Sequence, residues 1–188
     1  MKVGKWVLRS VDWEVRSIPF VMARDFTVAH HYAKGGSNTA VYTHGLFCKG
    51  VEDCCGITWW IPPTRKAAEA TYPPNWGGVL NLSRLVIAPG VPTNAATFLL
   101  SRSRKLIDRK KWPCLVTYAD TWRGHTGAIY RADNWDYMGM TAKTPCWVIG
   151  ERMVAKKAGP HTRTNAEMLA LGAVCLGSFS KHKFVKLT

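Results

Sequence analysis

The sequence has no C-x-x-C pair and no long apolar run. Its six cysteines stand singly or as neighbours, a spacing that excludes a zinc ribbon or a paired disulfide framework. The longest apolar stretch, from Met168 to Gly177, is shorter than the roughly 20 residues that cross a bilayer. The first residues contain no apolar segment of the kind found in signal peptides. These absences predict free thiols in a reducing cytoplasm and no membrane segment.

Acidic residues are also scarce. Among 188 residues, 12 Asp and Glu stand against 26 Lys and Arg, which gives a formal net charge of +14. Such an excess indicates a polyanionic partner, and double-stranded DNA is the first candidate. An acidic small molecule such as a CoA nucleotide is the alternative. The length predicts one domain over residues 1–188.

Hydrophobic periodicity predicts short elements in the N-terminal half. Loose alternation predicts one or two early strands, and the segment DFTVAHHYAK predicts a helix with Asp25 as its N-cap. Two β runs then predict a hairpin, with Cys54 and Cys55 in its connection. The predicted elements are Met1–Phe20 (strands), Asp25–Lys34 (helix), Thr39–Phe47 and Gly56–Ile61 (hairpin) and Pro62–Gly78 (loop).

The second half alternates between strand and helix patterns. This order predicts an α/β protein with a mostly parallel core. The predicted elements are Val79–Ala88 (strand), Thr93–Lys111 (helix, capped by Thr93 or Asn94), Cys114–Asp120 (strand), Gly124–Trp135 (helix), Asn165–Gly177 (helix) and Lys181–Leu187 (strand). Basic side chains on the first helix and the last strand are the predicted DNA phosphate contacts: Arg102, Arg104, Lys105, Arg109, Lys110, Lys111, Lys181 and Lys183.

The segment from Leu82 to Trp135 resembles the GNAT superfamily of N-acetyltransferases. The resemblance begins at Ile87-Ala88-Pro89, where a strand ends before a turn that opens a helix. It implies a GNAT-like acyltransferase fold, with a central mixed twisted sheet and flanking helices, and acetyl-CoA or a related acyl donor. The backbone of such a turn cradles the donor's pyrophosphate. The residues that the resemblance assigns to the donor are Ile87, Thr93, Asn94, Ala95, Ala96 and Thr97.

Departures at this turn leave an alternative open. The superfamily's glycines fall at Thr93, Ala95 and Thr97, and Pro92 removes one amide donor. An ordinary N-capped turn explains the same residues.

A second motif runs from Ile129 to Trp135 and matches the superfamily's L-Y-x-x-x-G-F pattern. The resemblance makes Tyr130 a general-acid candidate, whereas a core tyrosine that closes a helix is the structural alternative. Asn134 replaces the glycine, which is acceptable where a left-handed helix cap is needed.

A wider set of segments resembles the Mom family. These are AHHYAK, LSRLVIAP, NAATFLLSR, WPCLVTYAD, GHTGAIYRADNW, YMG and SKHKFVKL, between His30 and Val185. The resemblance implies a phage enzyme that transfers a carbamoylmethyl group to the exocyclic amine of adenine in DNA and thereby protects the DNA from host restriction. It assigns catalytic roles to His31 (or His30), Asp120 and Tyr130, and a hydroxyl to Thr97 or Thr93. Asp120 as a helix cap is the structural alternative.

Modification of adenine in a duplex requires that the base leave the stack. Trp59, Trp60, Trp76 and Trp122 are the aromatic candidates that could hold it, and core packing is the alternative for each. Iron bound by His31 with His44 or Asp120 is a minority alternative, because adjacent histidines on a helix point about 100° apart. Two other functions stay open: a conventional CoA-dependent N-acetyltransferase of an amine or protein, and a non-catalytic DNA-binding antirestriction protein.

Overall fold

The computed structural model describes residues 7–35, 39–158 and 160–187. Short 3-10 helices lie at Pro73–Gly78 and Thr121–Arg123. The helices are α1 (Phe20–His30), α2 (Arg65–Glu69), α3 (Ala95–Lys105), α4 (Ala128–Ala132) and α5 (Asn165–Ala170). The strands are β1 (Trp13–Ser17), β2 (Tyr42–Cys48), β3 (Cys54–Ile61), β4 (Val79–Ile87), β5 (Cys114–Asp120), β6 (Asp136–Met140), β7 (Thr144–Ile149), β8 (Arg152–Val154), β9 (Lys157–Ala158), β10 (His161–Thr162), β11 (Val174–Phe179) and β12 (Lys181–Leu187).

The central sheet is mixed, with the strand order β1-β2-β3-β4-β5-β12-β6. Its neighbours pair in antiparallel fashion except β4 and β5, which are parallel. The predicted GNAT-like sheet with flanking helices is confirmed, but the prediction of a mostly parallel core is wrong. Only the β4–α3–β5 segment makes a crossover, whereas hairpins and the returning strand β12 make the other pairings.

Helix α1 begins five residues earlier than predicted. Pro19 precedes it, and proline suits a helix start because its φ is already helical and it has no N–H to leave unpaired. The helix ends at His30, so His31 follows it in extended conformation (φ −112°, ψ 138°). Of the predicted early strands, β1 is present, while Val3 and Trp6 lie outside the described residues.

The predicted hairpin is confirmed as β2 and β3, although Cys54 and Cys55 open β3 instead of lying in the connection. The proline-rich segment after it contains α2 and a 3-10 helix where a loop was predicted. Both are short, which is why the sequence showed no sustained period there.

Helices α3 and α4 are both shorter than predicted. Helix α3 ends at Lys105. In a separate turn after it, the Asp108 carboxylate accepts hydrogen bonds from the backbone amides of Lys110 and Lys111. The segment predicted as a helix from residue 124 becomes helical only at Ala128, because Gly124 and Gly127 both have positive φ. The left-handed cap at Asn134 is present (φ 56°).

The C-terminal region builds a second, three-stranded sheet in the order β11-β7-β8. The predicted helix from residue 165 ends at Ala170, and the remainder of that segment forms β11 after Gly172 (φ 74°). Strand β12 is present as predicted. No helix in the described ranges is long and apolar enough to span a bilayer.

Candidate active site

The two parallel strands separate in the middle of the sheet. Strands β4 and β5 pair only over Val79–Leu82 and Cys114–Thr117. Beyond that point β4 continues beside β3, with a register shift opposite Trp59 and Trp60, while β5 continues beside β12. The carboxyl ends of parallel strands are where α/β folds bind ligands. The gap between β4 and β5 therefore lies at the edge of the sheet where α/β folds bind ligands.

A cavity of about 730 Å³ lies at this gap, and we call it the central cavity. Its wall includes Arg84, which bonds to the segment after α1, and Ile87, which packs with the α3 residue Leu99. Val86 lies between Arg84 and Ile87 along β4. It packs with residues of α1 on the face of the sheet opposite to Ile87. The cavity is thus lined from both faces of the sheet, so two ligands could meet in it from opposite sides.

Asp120 ends β5 at the wall of the central cavity and is almost fully buried. One carboxylate oxygen accepts a short hydrogen bond from the Tyr32 hydroxyl, and the other lies 2.7 Å from the Lys181 ammonium. Burial alone would raise the pKa of Asp120, but Lys181 and Tyr32 outweigh it and the net shift is downward. Asp120 is therefore a charged acceptor at neutral pH and a weak base.

His31 lines the same cavity beside Tyr32. Burial first, and then the Arg84 charge, lower the pKa of His31 from 6.5 to about 4, so its ring is neutral at pH 7. Its Nδ1 accepts a hydrogen bond from the Ala33 amide. A neutral ring with an accepting Nδ1 carries its hydrogen on Nε2. His31 is thus placed to donate a hydrogen bond.

Tyr130 lies on α4, with its ring against Trp135 and Phe184, and its side chain lines the cavity. Burial raises the pKa of Tyr130, which keeps its hydroxyl protonated. The structure therefore brings His31, Asp120 and Tyr130 to one cavity, as the resemblance implied. Their catalytic roles remain predictions.

The sequence analysis missed Tyr32 and Arg84. Tyr32 stood in the AHHYAK segment, directly after the histidine that was singled out. Arg84 donates hydrogen bonds to the Gly35 and Ser83 carbonyl oxygens and lines the cavity. In the described part of the chain it forms no salt bridge with a carboxylate, and burial lowers its pKa. A buried guanidinium of this kind can bind an acceptor or anionic group of a ligand.

Comparisons with known proteins agree with this architecture. The model of the Mom protein family matches residues 12–186. The chain belongs to the Mom protein family. No curated protein matches the sequence.

The fold is that of GNAT acetyltransferases. Similar solved structures include a Bacillus subtilis acetyltransferase in complex with CoA (TM-score 0.57, 4% identity, 94% of this chain and 98% of that one). Another is a GNAT family acetyltransferase from Elizabethkingia anophelis with acetyl-CoA bound (TM-score 0.55, 8% identity, 94% and 99%). A third is an N-acetyltransferase from Staphylococcus aureus Mu50 (TM-score 0.55, 10% identity, 94% and 98%). At these identities the likeness shows the fold.

The predicted donor residues of this Mom-family chain divide into two groups. Ile87 and Ala96 line the central cavity. Asn94 instead binds the backbone of Leu8, from which its side chain accepts one hydrogen bond and to which it donates another. The Thr97 hydroxyl donates a hydrogen bond to the Asn94 carbonyl oxygen. Of the remaining two predicted donor residues, Thr93 is exposed and Ala95 is fully buried.

The predicted iron site finds no support. Within residues 7–35, 39–158 and 160–187, no group of three His, Cys, Asp or Glu lies close enough to hold a metal. His44 is buried in a polar cluster in which its Nδ1 lies 2.8 Å from the Ser103 hydroxyl, and it does not line the cavity with His31. Trp59 and Trp60 are fully buried in the core, so neither can stack on a flipped base. Trp76 and Trp122 are partly exposed.

Two of the predicted phosphate contacts form ion pairs with carboxylates of the chain. Both nitrogens of the Arg104 guanidinium fork bond to the Asp133 carboxylate, at 2.7 and 2.8 Å, and both side chains are largely buried. Lys181 forms the ion pair with Asp120. These contacts give Arg104 and Lys181 structural roles that the sequence did not indicate. All eight phosphate contacts stay predictions.

Proposed function

We propose that this protein is a transferase that modifies the exocyclic amine of adenine in DNA. The resemblance to the Mom family implies that the transferred group is carbamoylmethyl and that the modification protects phage DNA from host restriction. The observation that carries the proposal is the central cavity, which is lined from both faces of the sheet and has the charged Asp120 in its wall. A direct group transfer requires that two substrates meet in one space.

An acyl-CoA or related donor fits the face of the cavity that α3 and α4 cover. The wall there consists of Ile87, Ala96 and Ile129, whose apolar side chains suit an extended acyl-thioester arm. The positive end of the α3 dipole lies at the N-terminus of the helix and favours anions, although the Asn94 side chain there is hydrogen-bonded to the backbone of Leu8. When bound, such a donor supplies an activated carbon. The nitrogen of a carbamoylmethyl group must come from a donor other than an acetyl thioester.

The acceptor amine would approach Asp120. The adenine amine is a poor nucleophile because its lone pair is delocalised into the ring, so positioning has to supply much of the rate. Asp120, held charged, accepts a hydrogen bond from the amine and orients its lone pair toward the donor. His31, through Nε2–H, stabilises negative charge that develops on an oxygen. As the new N–C bond forms, the bond between that carbon and the donor's leaving group would break, Asp120 would accept the proton that the amine loses, and Tyr130 would protonate the leaving group.

The test is nucleoside mass spectrometry of DNA from cells that express the protein. We expect a modified deoxyadenosine in wild type, and a loss of roughly 10² to 10⁴ fold in Asp120→Asn and Tyr130→Phe. Tyr42→Phe, which removes a tyrosine hydroxyl outside the central cavity, is the control and should retain wild-type levels. Unmodified DNA together with an acetylated amine or protein would instead select a conventional N-acetyltransferase. Normal modification by folded Asp120→Asn would remove Asp120 from the mechanism.

A further inference from the structure

Four strands form the edges of the two larger sheets: β1 and β6 in the central sheet, and β11 and β8 in the second sheet. An edge strand presents unpaired backbone groups, and proteins prevent unwanted pairing there with charged side chains or short strands. Strand β1 carries Glu14 and Arg16, and β6 begins with Asp136. Strand β8 has only three residues, the first of which is Arg152. Strand β11 differs, because its six residues, VCLGSF, include no charged residue and no proline.

Strand β11 is also open to solvent on its faces. Its first five residues are all exposed, and they include Val174 and Leu176. Leu169 and Leu171, at the end of α5, are at least half exposed and lie just before β11 in the chain. No Asp, Glu, Lys or Arg occurs from residue 168 to residue 180. Exposed apolar surface of this kind marks a contact with another molecule.

We propose that β11 pairs with β11 of a second copy of this chain, so that the protein is a dimer with a two-fold axis near Cys175. This inference goes beyond the proposed function and does not depend on it. An antiparallel strand of the same sequence matches the donors and acceptors of β11 and closes the edge of both copies at once. The register of β11 with β7 shifts between Cys175 and Ser178, which bends the second half of the strand. The pairing therefore uses the first half, around Cys175.

Charge favours a second copy at this strand over other partners. Two copies with a net charge of +14 repel each other, so a dimer needs a surface that brings no like charges together. Strand β11 meets this requirement, because it carries no charge. A polyanion such as DNA finds no cation to bind on this strand. A strongly charged protein finds no opposite charge there either.

Helix α5 fits the same arrangement. Met168 of α5 packs against Trp147 of β7, and Trp147 lies opposite Cys175 in the register. Opposite residues point to the same face, so α5 covers the face on which the Cys175 side chain lies. Strands are about 4.8 Å apart, which places the β7 strands of the two copies about 14 Å apart across the axis. Two helices about 10 Å wide then face each other over the joined sheet, and Leu169 and Leu171 are the exposed apolar side chains available to fill the space between them.

The exposed apolar area suits a weak dimer. The exposed parts of Leu169, Leu171, Val174 and Leu176 amount to roughly 400 Å² in each copy, and with the adjoining backbone the two copies would bury about 1,000 Å² in total. This area lies near the lower limit for a specific interface. We therefore expect a dissociation constant in the micromolar range.

The test is the oligomeric state of the full chain, purified free of nucleic acid. Sedimentation velocity between about 1 and 100 µM should show the monomer converting to a dimer. Raising the salt concentration from roughly 50 to 500 mM should leave the dimer intact or strengthen it, because salt screens the repulsion between the two copies. Association through residual DNA would instead weaken with salt.

Charged substitutions locate the interface. The double variant Val174→Lys with Leu176→Lys puts like charges on the edge of β11 and should raise the dissociation constant at least tenfold. Met138→Lys with Met140→Lys, on the edge strand β6, is the matched control, because these side chains are 57% and 49% exposed, against 59% and 47% for the β11 pair. The control should dimerise as wild type does. Circular dichroism and Tm should show that both double variants remain folded.

The exposed thiol of Cys175 gives an independent measurement. Opposite Cα atoms in an antiparallel pair are about 4.5–5.5 Å apart, a separation that a disulfide spans. Mild oxidation by copper phenanthroline in air should therefore join two copies through Cys175. Two S–H bonds break, one S–S bond forms, and the two hydrogens pass to oxygen. Cys175→Ser should still dimerise in sedimentation but should give no cross-link.

Three results would overturn the proposal. The first is a wild type that stays monomeric at the highest protein and salt concentrations. The second is a dimer that the two lysines on β11 leave intact, or that only the β6 control disrupts. The third is a cross-link that forms equally well in Cys175→Ser, since the two copies would then meet elsewhere.

Discussion

Replacing Lys181 by methionine should destabilise the protein by leaving Asp120 buried without its cation. Asp120 is about 10% exposed at its side chain and Lys181 is 39% exposed. Loss of one partner costs about 3–5 kcal/mol in a fully buried pair, and exposed pairs contribute about 0–1 kcal/mol. This half-exposed pair lies between them, so we expect a loss of about 1–2 kcal/mol. For a chain of this length, that lowers Tm by roughly 2–8 °C.

The direction of the Asp120 pKa shift determines how the free energy of unfolding should depend on pH. In wild type, the lowered pKa of Asp120 stabilises the folded state above the ordinary carboxyl pKa of about 4, and this stability is lost as pH falls through the folded pKa. Without Lys181, burial should raise the pKa of Asp120 above its ordinary value. The variant then regains stability on protonation, so its deficit relative to wild type should be largest near pH 7 and shrink toward pH 4.

The assay is urea unfolding and thermal unfolding between pH 4 and pH 8, with Lys183→Met as the control. Lys183 lies two residues along on the same face of β12, and its ammonium lies 3.5 Å from the Ala70 carbonyl oxygen. In the double variant with Asp120→Asn, the Lys181 substitution should cost little. Equal Tm values for the two lysine variants at pH 7 would refute the argument and return Lys181 to the phosphate contacts.

Three further predictions concern buried and exposed charge. Burial lowers the pKa of His44 from 6.5 to about 4, so the His44 contribution to the free energy of unfolding should fall by about 2 kcal/mol from pH 7.5 to 5. His44→Asn should therefore reduce the slope of the free energy of unfolding against pH in this range, and an unchanged slope would contradict this. Arg104→Met leaves Asp133 unpaired and should cost about 3 kcal/mol, seen as a lower Tm, whereas a phosphate contact would leave Tm unchanged. Duplex affinity should fall steeply between roughly 50 and 200 mM salt, and neutralising Lys110 and Lys111 should reduce the log–log slope by about 0.9 per lost contact; salt-insensitive binding would exclude a phosphate-dominated interface.

Local pattern predicted the strands around the site well. Strands β4 and β5 are buried runs that stop at Pro89-Gly90 and at a turn, and such boundaries are properties of the sequence itself. The pairing of those strands was not predictable in the same way. Strand β12 inserts between β5 and β6 from far along the chain, and no residue spacing records which strand it joins.

The same distinction explains which site residues were found. Asp120 and Tyr130 lie ten residues apart on one strand-to-helix turn, so their proximity follows from local structure. Lys181 lies opposite Asp120 in the β5–β12 register, a contact between distant segments. In the sequence it could only be counted as one more basic residue. Arg84 was hidden for a similar reason, because a β run does not show which of its members faces a gap in the sheet.

The count of 26 Lys and Arg residues therefore overstates the number of cations available to a DNA backbone. Arg104 neutralises Asp133, Lys181 neutralises Asp120, and Arg84 lies in the wall of the central cavity. A cation inside a cavity cannot contact the phosphates of stacked duplex DNA, but it can act on a group that enters the cavity. The number of counterions released on DNA binding should thus be smaller than the number of basic residues in the sequence suggests. At Arg104 and Lys181 the positive charge pairs with largely buried carboxylates, one of which is the carboxylate that the proposed reaction uses.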